Sequence, residues 1–250
     1  MLKKYNYNLH QGDIVAGTII YQEFNGFLVN IGDNMAGYLP QEEIGLKDII
    51  NNTKLNYFIN TTREFFLVTH KPKLKQSILS IKRLEYIRGW KRIKQYQNEN
   101  IIFNLKVKYI NKGGIITYLD NIQGFIPKSQ IYLSNHQIKF DEQYIKCKLI
   151  TANEQKNQLI LSNKSALLYL SKHKFRLGEL IYGQVKKIKP YGLFIEIYGI
   201  IALLHISEIT YKYINNIYHF FHIGKLIKVK IIHIDMKQGR LSVSRRYNIQ

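Results

Sequence analysis

Three stretches of this chain end alike: Ser77-Ile78-Leu79-Ser80-Ile81-Lys82, Leu159-Ile160-Leu161-Ser162-Asn163-Lys164 and Leu241-Ser242-Val243-Ser244-Arg245-Arg246. The serines at 80, 162 and 244 are 82 residues apart in both intervals. A fixed internal period means that one structural unit is used repeatedly, so a fold that suits one unit must suit all three. Two further markers recur in each unit. One is Gly37-Tyr38-Leu39-Pro40, Gly124-Phe125-Ile126-Pro127 and Ala202-Leu203-Leu204-His205. The other is an earlier turn glycine, at Gly26, Gly113 and Gly192.

Within a unit the apolar pattern has period two, the mark of a half-buried strand. Leu193, Ile195 and Ile197 alternate with Phe194, Glu196 and Tyr198. Between Lys225 and Asp235, Leu226, Lys228, Lys230 and Ile232 fall on one face, with Ile227, Val229, Ile231 and His233 on the other. About five short strands in roughly 70 residues predict a small closed barrel of the oligonucleotide/oligosaccharide-binding (OB) type. The fold class is therefore all-β: three tandem five-stranded OB barrels, at residues 10–83, 99–164 and 177–247, joined by short helical linkers. Residues 82–98 place Leu84, Ile87, Trp90 and Ile93 at helical spacing, despite Gly89, so the first linker (84–98 between the barrels) reads as a basic helix and Trp90 as a packing residue. Residues 165–176 read as a shorter helical linker.

The formal net charge is +20, which directs attention to polyanionic partners. Its distribution is more informative than its sum. Residues 1–81 hold 8 Lys/Arg against 7 Asp/Glu, whereas residues 171–250 hold 14 against 4. A near-neutral barrel binds RNA poorly by electrostatics and a basic one binds it well. This predicts that repeat one docks on protein and repeat three grips RNA, with a merely solvated basic face as the bland alternative. The single cysteine, Cys147, can form no internal disulfide and fits a reducing compartment. No apolar run approaches the roughly 18–20 residues that span a bilayer, so no membrane partner is expected. Met1 to Asn6 lead into no apolar signal segment, which predicts a protein that works where it is made. The 40 Ile against five Ala point to an A/T-rich genome, organellar or bacterial.

These residues resemble the RNA-binding motif of the ribosomal protein S1 family, whose members hold mRNA on the small subunit. Repeat three carries the clearest likeness: Gly183-Gln184-Val185, Lys189-Pro190-Tyr191-Gly192-Leu193-Phe194-Ile195, Ala202-Leu203-Leu204-His205-Ile206-Ser207-Glu208, then Asp235 and Gly239-Arg240-Leu241-Ser242-Val243-Ser244. Repeat two carries Lys112-Gly113-Gly114 and Gly124-Phe125-Ile126-Pro127-Lys128-Ser129-Gln130, and repeat one Gly37-Tyr38-Leu39-Pro40-Gln41-Glu42-Glu43. Three repeats in this order, with a basic helix after the first, resemble the short cyanobacterial and plastid form. The resemblance implies a plastid stromal, ribosome-associated protein, or alternatively one of the bacterial cytoplasm. It implies single-stranded mRNA and small-subunit proteins as partners, and Tyr191, Phe194, His205 and Arg240 as the binding face, with Asp235 holding a turn or orienting Arg240.

The physics of the residues supports that face. An outward Phe194 on a basic barrel is a stacking platform, worth about 1–3 kcal/mol per base. His205 can stack or donate to phosphate, and Arg240 can pair with phosphate or lie flat on a base. For each aromatic the alternative is packing at the edge of the core. Lys186, Lys187, Lys189, Lys228, Lys230, Arg245 and Arg246 supply charge around the face. The other repeats depart from the pattern, with Leu28 and Ile115 at the Phe194 position, Pro40 and Pro127 at His205, and Gln76 and Gln158 at Arg240. Repeat two keeps Lys106, Lys108, Lys112 and Lys128 for weaker backbone contacts.

Catalytic, metal and cofactor patterns are not found, and a non-enzyme is expected. No Gly-rich phosphate loop ends in Lys-Ser/Thr, and one cysteine makes no zinc pair. His219 and His222 lack a neighbouring ligand in sequence, and Glu42-Glu43 and Asp141-Glu142 read as helix-start or loop residues. Three functions compete: an mRNA-holding translation protein, an accessory subunit of an RNA-processing or ribonuclease complex, and an adaptor that binds only protein. The full-length repeat array favours the first, and the charge asymmetry disfavours the last.

Overall fold

A computed structural model describes residues 8–33, 35–45, 59–71, 76–132, 144–210 and 217–246. Asp141-Glu142 and the first residues of the chain lie outside them. Two compact units organise the chain, Met1–Gln95 with Asp120–Ile122, and Tyr96–Leu119 with Gln123–Gln250.

The first barrel consists of β1 (Ile14–Glu23), β2 (Gly26–Asn30), β3 (Gly37–Pro40), β4 (Thr62–Lys71) and β5 (Gln76–Ser80), closed in the order β1-β2-β3-β5-β4. Helix α1 (Ile81–Glu99) follows. The second barrel comprises β6 (Ile102–Lys106), β7 (Tyr109–Ile110), β8 (Gly114–Leu119), β9 (Ile122–Pro127), β10 (Tyr144–Asn153) and β11 (Gln158–Ser162), and α2 (Asn163–Leu170) follows it. The third comprises β12 (Leu180–Lys189), β13 (Gly192–Ile197), β14 (Ile200–His205), β15 (Leu226–Asp235) and β16 (Arg240–Ser244), closed as β12-β13-β14-β16-β15.

The period-two pattern is what packs these barrels. In β13, Leu193, Ile195 and Ile197 are buried and Phe194 and Glu196 turn outward. Val185, Ala202, Leu204, Val229, Leu241 and Val243 complete the same core, and Val15, Ile19, Phe27, Leu39, Phe65 and Leu79 form its counterpart in the first barrel. At about 25 cal/mol per Å² of apolar surface, each of the Val, Leu, Ile and Phe side chains contributes about 1.5–3 kcal/mol on burial.

The recurring serines explain the period. Ser80, Ser162 and Ser244 are buried. Each ends the last strand and ties it to the short 3-10 turn after the third strand. Ser162 Oγ donates to Gln130 Oε1 at 2.9 Å and accepts from Ser165 N, which caps α2. Ser80 Oγ donates to the Glu43 carboxylate and accepts from Arg83 N. Ser244 Oγ accepts from Arg246 N at 2.9 Å and donates to the Glu208 carbonyl.

Four expectations are corrected. The second barrel is a curled six-stranded sheet, because its first strand breaks at Val107-Lys108 into β6 and β7, which stand at opposite ends of the order β6-β10-β11-β9-β8-β7. At the break the buried Thr117 hydroxyl takes the Lys106 carbonyl at 2.8 Å. The second helix begins at Asn163, where Ser162 caps it, and ends at Leu170, with a 3-10 turn at Lys172–Lys174. His233 faces outward, because a bulge between Ile231 and His233 reverses the alternation. In repeat two the turn glycine equivalent to Gly192 is Gly114, not Gly113. The hairpin Asn111-Lys112-Gly113-Gly114 pairs Asn111 with Gly114, as Lys189 pairs with Gly192. A slip of one residue changes the face of every side chain that follows. The position of Phe194 is therefore held by half-buried Ile116, and Ile115 is a core residue.

Helix α1 buries Ile81, Leu84, Gly89, Trp90 and Ile93, leaving Ile87 half-buried. The turn Asp120–Ile122 packs on it where Gly89 lacks a side chain, and Arg92 Nε donates to Asp120 at 3.0 Å. Trp90 is fully buried against Tyr86, which fits packing and not stacking on RNA.

Candidate nucleic-acid interface

The register of the third barrel builds the site. Lys187 of β12 pairs with Phe194 of β13, Phe194 with Leu203 of β14, and Leu203 with Ser242 of β16. Directly paired residues share a face, so this row runs across the outside of four strands. The adjoining row is Lys189, Gly192 and His205. A β-carbon at Gly192 would overlap the Leu204 carbonyl oxygen, so only glycine allows the hairpin to close here. That hairpin projects Tyr191, 50% exposed, edge-on to Phe194 with ring centroids 6.2 Å apart and an interplanar angle of 86°. Two aromatic planes at right angles give one face for stacking and one for flanking a base.

His205 is exposed at the end of β14. Its Nδ1 accepts from Ser207 N and lies 2.8 Å from the Ser207 hydroxyl. An accepting Nδ1 leaves the proton of a neutral ring on Nε2, which is then a donor. Arg240 opens β16, exposed and opposite Asp235. The Asp235 carboxylate accepts from Lys237 N and Gln238 N, both at 3.0 Å, and so holds the turn that presents Arg240. Tyr191, Phe194, His205, Arg240, Lys187 and Lys189 thus share one wall.

The remaining predicted cations lie elsewhere or are engaged. Lys186 pairs with Glu196 at 2.8 Å. Lys228 and Lys230 face outward opposite Tyr182 and Leu180, at the far end of β12, roughly 20 Å along the strand from Lys187. Arg245 covers the Phe221 ring at 5.6 Å, and Arg246 Nε donates to the Thr210 carbonyl at 3.1 Å. In repeat two, Lys106, Lys108, Lys112 and Lys128 are all exposed, and the last two flank the hairpin where Lys128 N donates to the Gly113 carbonyl.

Two residues absent from the sequence prediction line the same cleft as the wall. They are Tyr132 and Lys164, which border a hollow of about 520 Å³ together with Tyr191, Phe194 and Arg240. Burial, and then the nearby Glu196 carboxylate, push the Tyr132 phenol up to about 12. Burial pushes the Lys164 ammonium down, and Arg240 pushes it further. No motif marks Tyr132, and the repeat marks Lys164 only as the end of a strand unit, because the third barrel meets both only in the folded chain. Among the described residues, no group of three or more His, Cys, Asp or Glu could hold a metal ion, and no helix is long and apolar enough to cross a membrane.

A tandem array of OB-type barrels, the last of them matched by an RNA-binding family, defines the class: RNA-binding repeat proteins. The S1 RNA binding domain family matches residues 174–246, the barrel that carries this wall. The chain is 46% identical over 248 residues to small ribosomal subunit protein bS1c of Pyropia yezoensis, covering 99% of this chain and 94% of that one. It is 36% identical to small ribosomal subunit protein bS1A of Synechocystis, over 98% of this chain and 74% of the other, and 32% identical to bS1c of Spinacia oleracea, over 97% and 59%. The chain belongs to the bS1 family of small ribosomal subunit proteins.

Proposed function

We propose that this protein is a non-enzymatic component of the small ribosomal subunit that holds single-stranded mRNA on the outer wall of its third barrel and so supports translation. The observation that carries the reading is the gathering of Tyr191, Phe194, His205, Arg240, Lys187 and Lys189 on one wall. Bases stack on Phe194 and Tyr191, while Arg240, Lys187, Lys189 and the His205 Nε2 donor hold phosphates. Stacking accepts any base, so the grip is tolerant of sequence, as an mRNA holder requires. The first barrel, near neutral, docks on a protein of the subunit. Lys112 and Lys128 add weaker backbone contacts. The names of the relatives, the bS1c proteins of Pyropia yezoensis and Spinacia oleracea, favour the plastid stroma, with the bacterial cytoplasm as the alternative that the Synechocystis relative suggests.

The test is co-sedimentation of the full chain with small ribosomal subunits at moderate salt, beside a Phe194→Ala/Arg240→Gln chain. Both are expected to travel with the subunit, and only the unaltered chain is expected to retain a labelled oligouridylate there. A full chain that binds free RNA but stays at the top of the gradient overturns the ribosomal reading.

A further inference from the structure

The cleft of about 520 Å³ is built by two barrels of the same compact unit, Tyr132 coming from the second and Tyr191, Phe194 and Arg240 from the third. Helix α2 fastens the two together. On one side, the Asn163 amide donates to the Lys146 carbonyl at 2.8 Å and accepts from Tyr132 N at 3.0 Å. The ammonium of Lys148 lies 4.2 Å from the centroid of the Tyr169 ring. On the other side, Ser165 Oγ donates to the Met236 carbonyl at 2.6 Å, and Leu168 enters the core of the third barrel. The turn after β15 rests directly on the first turn of α2, where a β-carbon on Gly239 (φ +64°) would overlap Ser165 N. The cleft is therefore preformed, which lowers the cost of ordering its walls when something binds.

Its chemistry is one-sided. Among the described residues Lys164 Nζ donates once, to the Ser129 carbonyl at 2.6 Å, and neither Lys164 nor Arg240 has an ion-pair partner. Two cations that repel each other in a partly buried hollow are stabilised by an anion between them. The nearby carboxylate, Glu196, is already paired with Lys186. Three aromatic rings, Tyr132, Tyr191 and Phe194, line the same hollow.

The geometry points to a second RNA subsite at the junction of the second and third barrels, in which Lys164 and Arg240 hold one backbone phosphate and Tyr132 offers the adjoining nucleotide a third aromatic surface. The strand thus passes from the Phe194 wall into the junction instead of out to solvent. This inference rests on the reading that the third-barrel wall binds single-stranded RNA.

The experiment is fluorescence anisotropy of the full chain with labelled oligouridylates across a salt series. Lys164→Gln is expected to lower affinity about ten-fold at low salt and to reduce the slope of log affinity against log salt by about 0.7, one phosphate's worth for a single strand. Lys164→Arg is expected to keep both. Gly239→Val, which wedges the turn off α2 and shifts the adjoining Arg240 with it, is expected to lose at least as much affinity as Lys164→Gln. Because that variant can also loosen the third barrel, its melting curve is recorded alongside, and Lys164→Gln decides the matter. Unchanged affinity and slope for Lys164→Gln, with binding lost in Phe194→Ala, overturns the junction subsite and leaves the wall standing. Unchanged binding in both overturns the wall as well. Unchanged oligouridylate binding with weakened co-sedimentation for Lys164→Gln overturns the subsite in favour of a protein contact.

Discussion

The first and third barrels share a fold and a strand order but differ along one line of residues. In the third barrel the outer row reads Lys187, Phe194, Leu203 and Ser242; in the first, the same register reads Tyr21, Leu28, Tyr38 and Ile78. Lys189 is answered by Glu23, and His205 by Pro40. At the hairpin tip the third barrel carries Pro190-Tyr191 and the first carries Phe24-Asn25, with Phe24 97% exposed. Both walls carry aromatic rings, but one is cationic, while the other has no cation in these rows and one carboxylate, Glu23. The comparison teaches that in a repeat protein the fold is set by the inward residues, which the two barrels share in type, while the partner is set by the outward ones, which they do not share.

The difference can be broken by substitution. The largest effect is expected from Phe194→Ala, which removes a stacking surface worth about 1–3 kcal/mol, so single-stranded RNA affinity falls roughly 5- to 150-fold in a filter-binding assay while the melting temperature stays put. Leu28→Ala at the matching position of the first barrel should do the reverse, with RNA affinity unchanged and the barrel modestly less stable by thermal melting. Next comes Arg240→Gln, which converts the third barrel to the residue type its siblings carry. A wall that contacts about five phosphates gives a slope of log affinity against log salt near −3.5, and this variant should reduce its magnitude by about 0.7. A smaller contrast lies within the third barrel. Lys187→Ala, in the Phe194 row, should weaken binding several-fold more than Lys228→Ala, at the far end of β12, and equal losses would show that the whole barrel attracts RNA without a defined wall. The smallest expected effect concerns Cys147 in the second barrel. Burial pushes its thiol up to about 12, so the thiolate fraction near neutrality is about 10⁻⁵ and an alkylating reagent should leave the folded protein unmodified until it is denatured.

Most of the architecture was legible because it rests on local periodicity. The alternation of Leu193, Phe194 and Ile195 told inside from outside without reference to any other strand, and the serine spacing gave the number of units. What could not be read depended on register or on distant partners. Lys112-Gly113-Gly114 offers two adjacent glycines, and only the pairing of Asn111 with Gly114 tells which one stands in the strand. The bulge at Ile231 and His233 has no marker in an otherwise regular alternation. Lys164 belongs by sequence to the end of repeat two, and its place beside Arg240 follows from the seating of Gly239 on α2. A count of charges by barrel does not tell which cations are engaged within it, as Lys186, Arg245 and Arg246 are.

The parallel pairing that closes each closed barrel, β3 with β5 and β14 with β16, has a consequence for how the chain is made. The last strand of a unit fits between two strands already laid down, so closure waits until the recurring serine has been synthesised. With 82 residues between serines and translation at about 5–20 residues per second, successive units become able to close at intervals of roughly 4–16 s. Such pacing lets one barrel finish before its similarly folded neighbour offers competing strands, which protects a tandem array from exchanging strands between its own repeats.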